Sequence, residues 1–243
     1  MDGIYPYVTR QMGLVHELDT LAQNIANATT PGYKAEALTF VEHVTAPNED
    51  GPSLSMGHAK VRWTDLAGGG MRQTGGTYDM AVEGEGFFQI AGPGGQTLLT
   101  RSGAFVTDAI GTLMTHDGLP LLDLGGAPIQ VPDGEGAVMV GRDGTLSKNG
   151  EPFAQVGLVT VPDTIGLQRV GDTRFRYAPP GGGVPDPVET PRIMQGFLEQ
   201  SNVQSMREIA RLIHVEKAYA AGQSIMDRED ERMRAMLRIM ETR

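Results

Sequence analysis

The chain has 243 residues, with 20 Lys and Arg against 30 Asp and Glu, for a formal charge of −10. An acidic chain with no basic block excludes bulk binding of nucleic acid and of anionic membranes, both of which need clustered cations. The absence of cysteine removes disulfides, thiolate metal sites and a thiol nucleophile. No run reaches the ~18 apolar residues of a membrane span.

The first ten residues show no basic stretch followed by an apolar one, which predicts no cleaved secretory signal. From Ile4 onward, Val8, Val15, Leu18, Ala22 and Ile25 recur at steps of three and four, interrupted by Gln11, with Tyr7, Leu14 and Leu21 beside them. That spacing predicts a helix of about 24 residues with a broad apolar face. Pro31 and Gly32 end it.

Of the 33 glycines, 30 lie between residues 31 and 196, as do 14 of the 15 prolines. Glycine and proline cost about 1 and 3 kcal/mol in a helix interior, so this interval is not mostly helical. Residues 42–76 are polar and glycine-rich with little periodicity, the composition of a linker or extended arm. Beyond them, Asp117-Gly118, Asp133-Gly134, Asp143-Gly144 and Asn149-Gly150 are the dipeptides of tight turns with positive φ. Apolar runs such as Phe87–Ile90 and Val156–Val161 lie between them, and a turn about every ten residues predicts antiparallel β structure.

Ser201 and Gln204 have the spacing of a capping box that opens a second helix. Val203, Met206, Ala210, Ile213 and Ala220 form one stripe, with Ile209 beside it. Met226, Met233, Leu237 and Met240 form another in a different phase. Gly222 lies near the change, where a bend or a change of packing partner is expected.

The sequence thus predicts an α+β fold with four segments. Residues 1–30 and 196–243 are the end helices, residues 31–76 are the extended arm, and residues 77–195 are an inserted antiparallel β-rich domain. The end helices pair as a coiled-coil-like stalk. Two helices alone bury too little apolar area to offset the ordering of some 60 residues, so neighbouring subunits are expected to complete the packing. The predicted interface is Val8, Val15, Leu18, Leu21, Ile25, Val203, Met206, Ala210, Ile213, Ala220, Met226, Met233, Leu237 and Met240.

Four ordered segments carry a resemblance. The first runs from Leu18 through Asn24, Asn27, Pro31, Gly32 and Tyr33 to Lys34 and matches an apolar helix ending in "NxANxxTxGYK". The second, Tyr78 to Phe88, with Gly84, Gly86, Phe87 and Phe88, matches "LDxAIxGxGFF". The third, Thr100 to Phe105 with Gly103, leads on to Asp117-Gly118-Leu-Pro-Leu-Leu122. The fourth, Gln195-Gly196-Phe-Leu-Glu-Gln-Ser201-Asn202-Val203, matches "QGxLExSNV". Together they resemble the flagellar basal-body rod and hook proteins over nearly the whole chain.

The length and the lack of an extra inserted domain point, within that family, to a rod protein, to the proximal rod before the distal one. The resemblance implies a non-enzymatic structural subunit of the axial rod that crosses the periplasm. It implies copies of itself and other rod proteins as partners, export by the flagellar type III apparatus, and no cofactor.

The competing chemistry is thin. Glu83 and Glu85 could form a carboxylate pair, but on a strand they would stand about 6–7 Å apart, and a turn explains them better. His16, His43, His58, His116 and His214 lack the spacing of metal ligands on a helix face, and Gly68-Gly69-Gly70 is not followed by the Lys-Ser/Thr of a phosphate loop. Trp63 is either a partner anchor or the lid of a small apolar cluster. A secreted glycan-binding or hydrolytic β protein would need positioned carboxylates or aromatic platforms, and the chain has 7 Phe, 6 Tyr and 1 Trp.

Overall fold

Helix survives only where glycine and proline are scarce. In a computed structural model that describes residues 5–45, 54–162 and 164–241, α1 spans Tyr5–Ala26 and α2 spans Ser205–Glu241. Pro6 sits in the first turn of α1, where a missing N–H has no intrahelical partner to lose. Everything described between the helices is strand, turn or irregular chain, apart from a single 3-10 turn at Pro93–Gly95.

The chain divides into two compact units. The first comprises residues 1–26, 36–65 and 204–243, and the second comprises residues 27–35 and 66–203.

In the first unit the helices run antiparallel, and a β-hairpin packs beside α1. Its strands are β1 (Glu36–Thr45) and β2 (Leu54–Thr64), paired from Glu36 opposite Thr64, with a bulge between Thr39 and Phe40. Composition marks residues 42–76 as linker, yet the ladder occupies much of that stretch. A two-stranded ladder is made by backbone groups, so it needs little of the side-chain alternation by which strands are read.

Asn24 fixes where the hairpin begins. Its Nδ2 donates to the Glu36 carbonyl at 2.8 Å, and its Oδ1 accepts from the Glu36 N–H at 3.0 Å.

α2 runs unbroken through Gly222. The capping box is not formed as expected. The Glu208 N–H donates to the Gln204 carbonyl, which makes Gln204 the cap, while the Ser201 hydroxyl oxygen accepts the Val203 N–H.

The second unit is antiparallel throughout. Its strands are β3 (Met71–Gln73), β4 (Met80–Val82), β5 (Phe87–Ala91), β6 (Thr97–Thr100), β7 (Phe105–Thr107), β8 (Leu113–Thr115), β9 (Val138–Val140) and β10 (Thr145–Lys148). They continue with β11 (Glu151–Gln155), β12 (Leu158–Thr160), β13 (Leu167–Arg169), β14 (Arg174–Tyr177), β15 (Asp186–Pro187), β16 (Ile193–Gln195) and β17 (Phe197–Glu199). The largest sheet has the order β13-β14-β6-β5-β12-β15, and β9, β10 and β11 form a second.

The centre of the large sheet is covered on both faces. Phe88, Ile90 and Leu98 join the main core with Phe105, Leu113, Leu121 and Leu146, while Phe87 and Leu99 pack with Val159 and Phe175. This is why the strands read as the doublets Phe-Phe and Leu-Leu. Phe88 meets Phe105 edge-on at 5.3 Å, and Phe87 meets Phe175 at 5.9 Å.

All four predicted turn dipeptides carry positive φ, including Asn149 at 54° and Gly150 at 86° between β10 and β11.

Candidate assembly surface

The helix pair has polar ties along its seam and several large apolar side chains on its exterior. Leu21 and Val215 are buried between the helices. Around them, Gln11 donates to the Tyr219 carbonyl at 3.1 Å, Glu17 pairs with Arg211 at 2.7 Å, and Asn24 donates to Glu208 at 3.2 Å. These ties descend along α2 as they climb α1, which fixes the antiparallel sense.

The stripes divide unevenly between seam and solvent. On α1, Val8, Met12 and Val15 are exposed, and Leu18 and Ile25 are half-buried. On α2, Met206 is 83% exposed and Ile213 is 47% exposed. Ala210 and Ala220 are exposed and Met226 is half-buried; Val203 is half-buried too, but it precedes α2 and belongs to the second unit. Met233 is exposed, and the side chains of Leu237 and Met240 lie outside the described residues. Large apolar side chains are thus exposed on both helices, and exposed apolar surface of this kind marks association. Of the predicted interface residues, Leu21 faces the intrachain seam.

The family motifs at the two ends of the second unit meet each other. Lys34 Nζ lies 2.6 Å from Glu199 Oε1, and both side chains are at most 1% exposed. Lys34 also donates to the Ala67 carbonyl at 2.7 Å, and the Gly69 N–H donates to Glu199 Oε1 at 2.9 Å. Arg101 reaches Glu199 Oε2 at 3.3 Å and the Gly84 carbonyl at 2.7 Å.

Burial pushes the Arg101 pKa down, and the Glu199 and Glu85 carboxylates work against that shift. Its buried Nε has no hydrogen-bond partner. A buried carboxylate between two cations is a demanding arrangement. Its desolvation is offset only if every member is in place, so it favours one geometry over near alternatives.

The backbone around this cluster is equally restrictive. Gly32, with φ of 72°, donates to the Glu199 carbonyl at 2.8 Å. A Cβ there would lie 2.2 Å from the Ser102 nitrogen. The Asn202 Oδ1 accepts the Ala35 N–H at 2.7 Å, and its Nδ2 donates to the Ala67 carbonyl. Tyr33 is fully buried, and the Arg169 guanidinium stands 4.7 Å from its ring and 4.8 Å from that of Phe175. Asn27 and Pro31 shape the turn that leads in, where the Thr30 N–H donates to the Asn27 carbonyl.

The remaining motif residues serve the β framework. Gly84 and Gly86 carry φ of 100° and 127° ahead of Phe87 and Phe88. Gly103 passes so near β4 that a Cβ would lie 1.6 Å from the Met80 carbonyl oxygen. Asp117 and Gly118 form the turn after β8, and Asp117 pairs with Arg174 at 2.5 Å. Gly196, with φ of 74°, separates β16 from β17.

Glu83 and Glu85 lie exposed in the loop between β4 and β5, and among the described residues no group of His, Asp and Glu has metal-binding geometry. Trp63, at the end of β2, is exposed. Sequence reasoning singled out neither Lys34 with Glu199 as an ion pair nor Gln11 as part of the seam. Lys34 and Glu199 stand 165 residues apart, and the signal for Gln11 was only that it interrupts an apolar stripe.

Comparison with known proteins finds two family models on the chain. Residues 81–148 match the flagellar hook protein FlgE/F/G D1 domain, and residues 194–239 match the flagellar basal body rod FlgEFG protein C-terminal region. A flagellar basal-body rod protein FlgF of Caulobacter vibrioides is 37% identical over 241 residues, covering 96% of each chain. An FlgF of Mesorhizobium japonicum is 35% identical over 229 residues, 93% of this chain and 92% of its own. A flagellar basal-body rod protein FlgG of Bacillus subtilis is 27% identical over 260 residues, 98% of each chain.

Proposed function

The chain belongs to the flagellar basal-body rod protein family, whose members are structural subunits of the rod, and on that premise we propose that it polymerises through its terminal helices. The apolar side chains exposed on both helices, Val8, Met12 and Val15 on α1 and Met206, Ile209 and Ile213 on α2, carry this reading. In the assembled rod these residues meet copies of the chain and other rod proteins, and the end helices extend as a coiled-coil-like stalk. The greater likeness to relatives named FlgF than to those named FlgG supports the proximal part of the rod. The subunit leaves the cytoplasm by the flagellar type III apparatus and works where the rod crosses the periplasm.

The test is Ile213→Asp. A carboxylate at an assembled seam loses its water without gaining a partner, at a cost of several kcal/mol per subunit. Cells carrying Ile213→Asp should not swim, while the purified variant keeps the helicity and melting behaviour of the parent. Normal swimming would show that this face is not an interface.

A further inference from the structure

We propose that Gln11 and Gly222 form a register lock, which decides how far α2 extends past α1. This rests on the reading that the exposed part of α2 is assembly surface, and it names the device that sets its length.

Apolar packing alone leaves the register of a helix pair degenerate. Sliding one helix by seven residues, about 10 Å, returns a similar face to its partner. Something polar must distinguish the registers, and a buried polar residue does so at some cost in stability.

Among the polar ties of this seam, Gln11 is the one that lies against the glycine of α2. It interrupts the apolar stripe of α1 and is 8% exposed. Its Nε2 donates to the Tyr219 carbonyl at 3.1 Å, and its buried Oε1 has no hydrogen-bond partner. A side chain can reach a helix carbonyl that is already inside its own helix only where nothing shields it. Gly222, one turn on, provides the opening, because a Cβ there would lie 2.1 Å from Gln11 Nε2.

The opening is unique to one register, because α2 contains a single glycine. A slip of seven residues would present Val215 or Glu229 to Gln11 in place of Gly222. The same slip would part Glu17 from Arg211, whose ion pair spans 2.7 Å.

At this register Tyr5, the first described residue of α1, falls opposite about residue 226, so the last 15 or so residues of α2, some 22 Å, have no described helix of the same chain beside them. Each heptad of slip would lengthen or shorten that overhang by about 10 Å and change which methionines a neighbour meets.

The chain lacks cysteine, so spin labels can be placed on the full-length protein through Ala22→Cys and Asp227→Cys, both at exposed positions. The labels are offset along the pair by roughly 28 Å, and a heptad slip changes this by about 10 Å. The parent should give one distance by pulsed electron resonance on the monomer. Gln11→Leu, which makes the stripe continuous, should add or substitute a distance displaced by about 10 Å. The native distance alone in Gln11→Leu overturns the proposal.

If Gln11→Leu instead lost the helix pair, the exchange Gln11→Gly with Gly222→Gln decides. Recovery of the single native distance supports the lock, and a displaced distance overturns it. Because the distance is read on the monomer, a native register with failed assembly counts against the assembly reading and not against the lock.

Discussion

Glu199 accepts from Lys34 at 2.6 Å and from Arg101 at 3.3 Å, and none of the three side chains is more than 5% exposed. The carboxylate holds together a turn near the start of the chain, a strand end in its middle and a strand near its end. Glu199→Gln keeps the shape but removes the charge that Lys34 and Arg101 share. It should destabilise the β unit by about 3–5 kcal/mol. Urea unfolding followed through β5 and β6 amides gives the number, and a midpoint within error of the parent would refute the account.

Replacing the whole cluster should be milder than replacing one member. With Lys34→Met, Arg101→Met and Glu199→Leu together, no unpaired charge remains in the interior. The triple variant should recover most of the loss seen in Glu199→Gln, since buried ionic clusters are often no more stable than apolar ones of similar volume. A triple variant as unstable as Glu199→Gln would mean that the cluster acts through packing.

Gly103→Ala tests the approach of the chain to β4. The added methyl would meet the Met80 carbonyl oxygen, which is backbone and cannot swing aside. A loss of about 1–3 kcal/mol is expected. By contrast, Gly94 has open space around it, so Gly94→Ala carries only the strain of its positive φ. Equal melting temperatures for the two variants would show that the close approach carries no energy.

Two turn aspartates contribute to the acid response. At Asp143 the Thr145 hydroxyl and N–H hold the carboxylate below its usual range. At Asp108 slight desolvation pushes upward, and the N–H groups of Thr112 and Ile110 outweigh it. A folded pKa below the unfolded value of about 3.9 means these contributions are complete above that pH and fade as pH falls through the folded pKa. Carboxyl titration by NMR should place both aspartates below the unfolded value; a value at or above it would contradict the turn geometry.

The two faces of α2 should respond differently. Val215→Asp puts a charge in the intrachain seam and should lower the helicity of the isolated chain, whereas Met206→Asp on the outer face should not. Truncation after Met226 should likewise leave the isolated pair largely folded while weakening assembly. Circular dichroism and sedimentation of mixtures separate these outcomes, and equal helicity in Val215→Asp and Met206→Asp would refute the division of faces.

The helices were legible because glycine and proline are costly inside them, and the tight turns because positive φ leaves few residues to choose from. The stripes told which sides of the helices are apolar. They did not tell which side turns inward, because Leu21 and Val215 differ from Val15 and Ile213 only in what stands opposite them. The β1–β2 hairpin escaped because a ladder of backbone groups leaves little trace in polar composition. Lys34 and Glu199 were visible as motif letters, but no local pattern joins residues that far apart in the chain.

The Lys34–Ala67 hydrogen bond, at 2.7 Å, has a consequence for how such a chain can change over generations. It brings together, within the second unit, the points where residues 36–65 depart and return. Lengthening or shortening that excursion beyond its paired strands leaves the anchoring at its root undisturbed, so such changes should be tolerated where a single added methyl at Gly32 or Gly103 is not. Variation among descendants of this sequence should therefore accumulate as hairpin length before it accumulates in the motifs on either side.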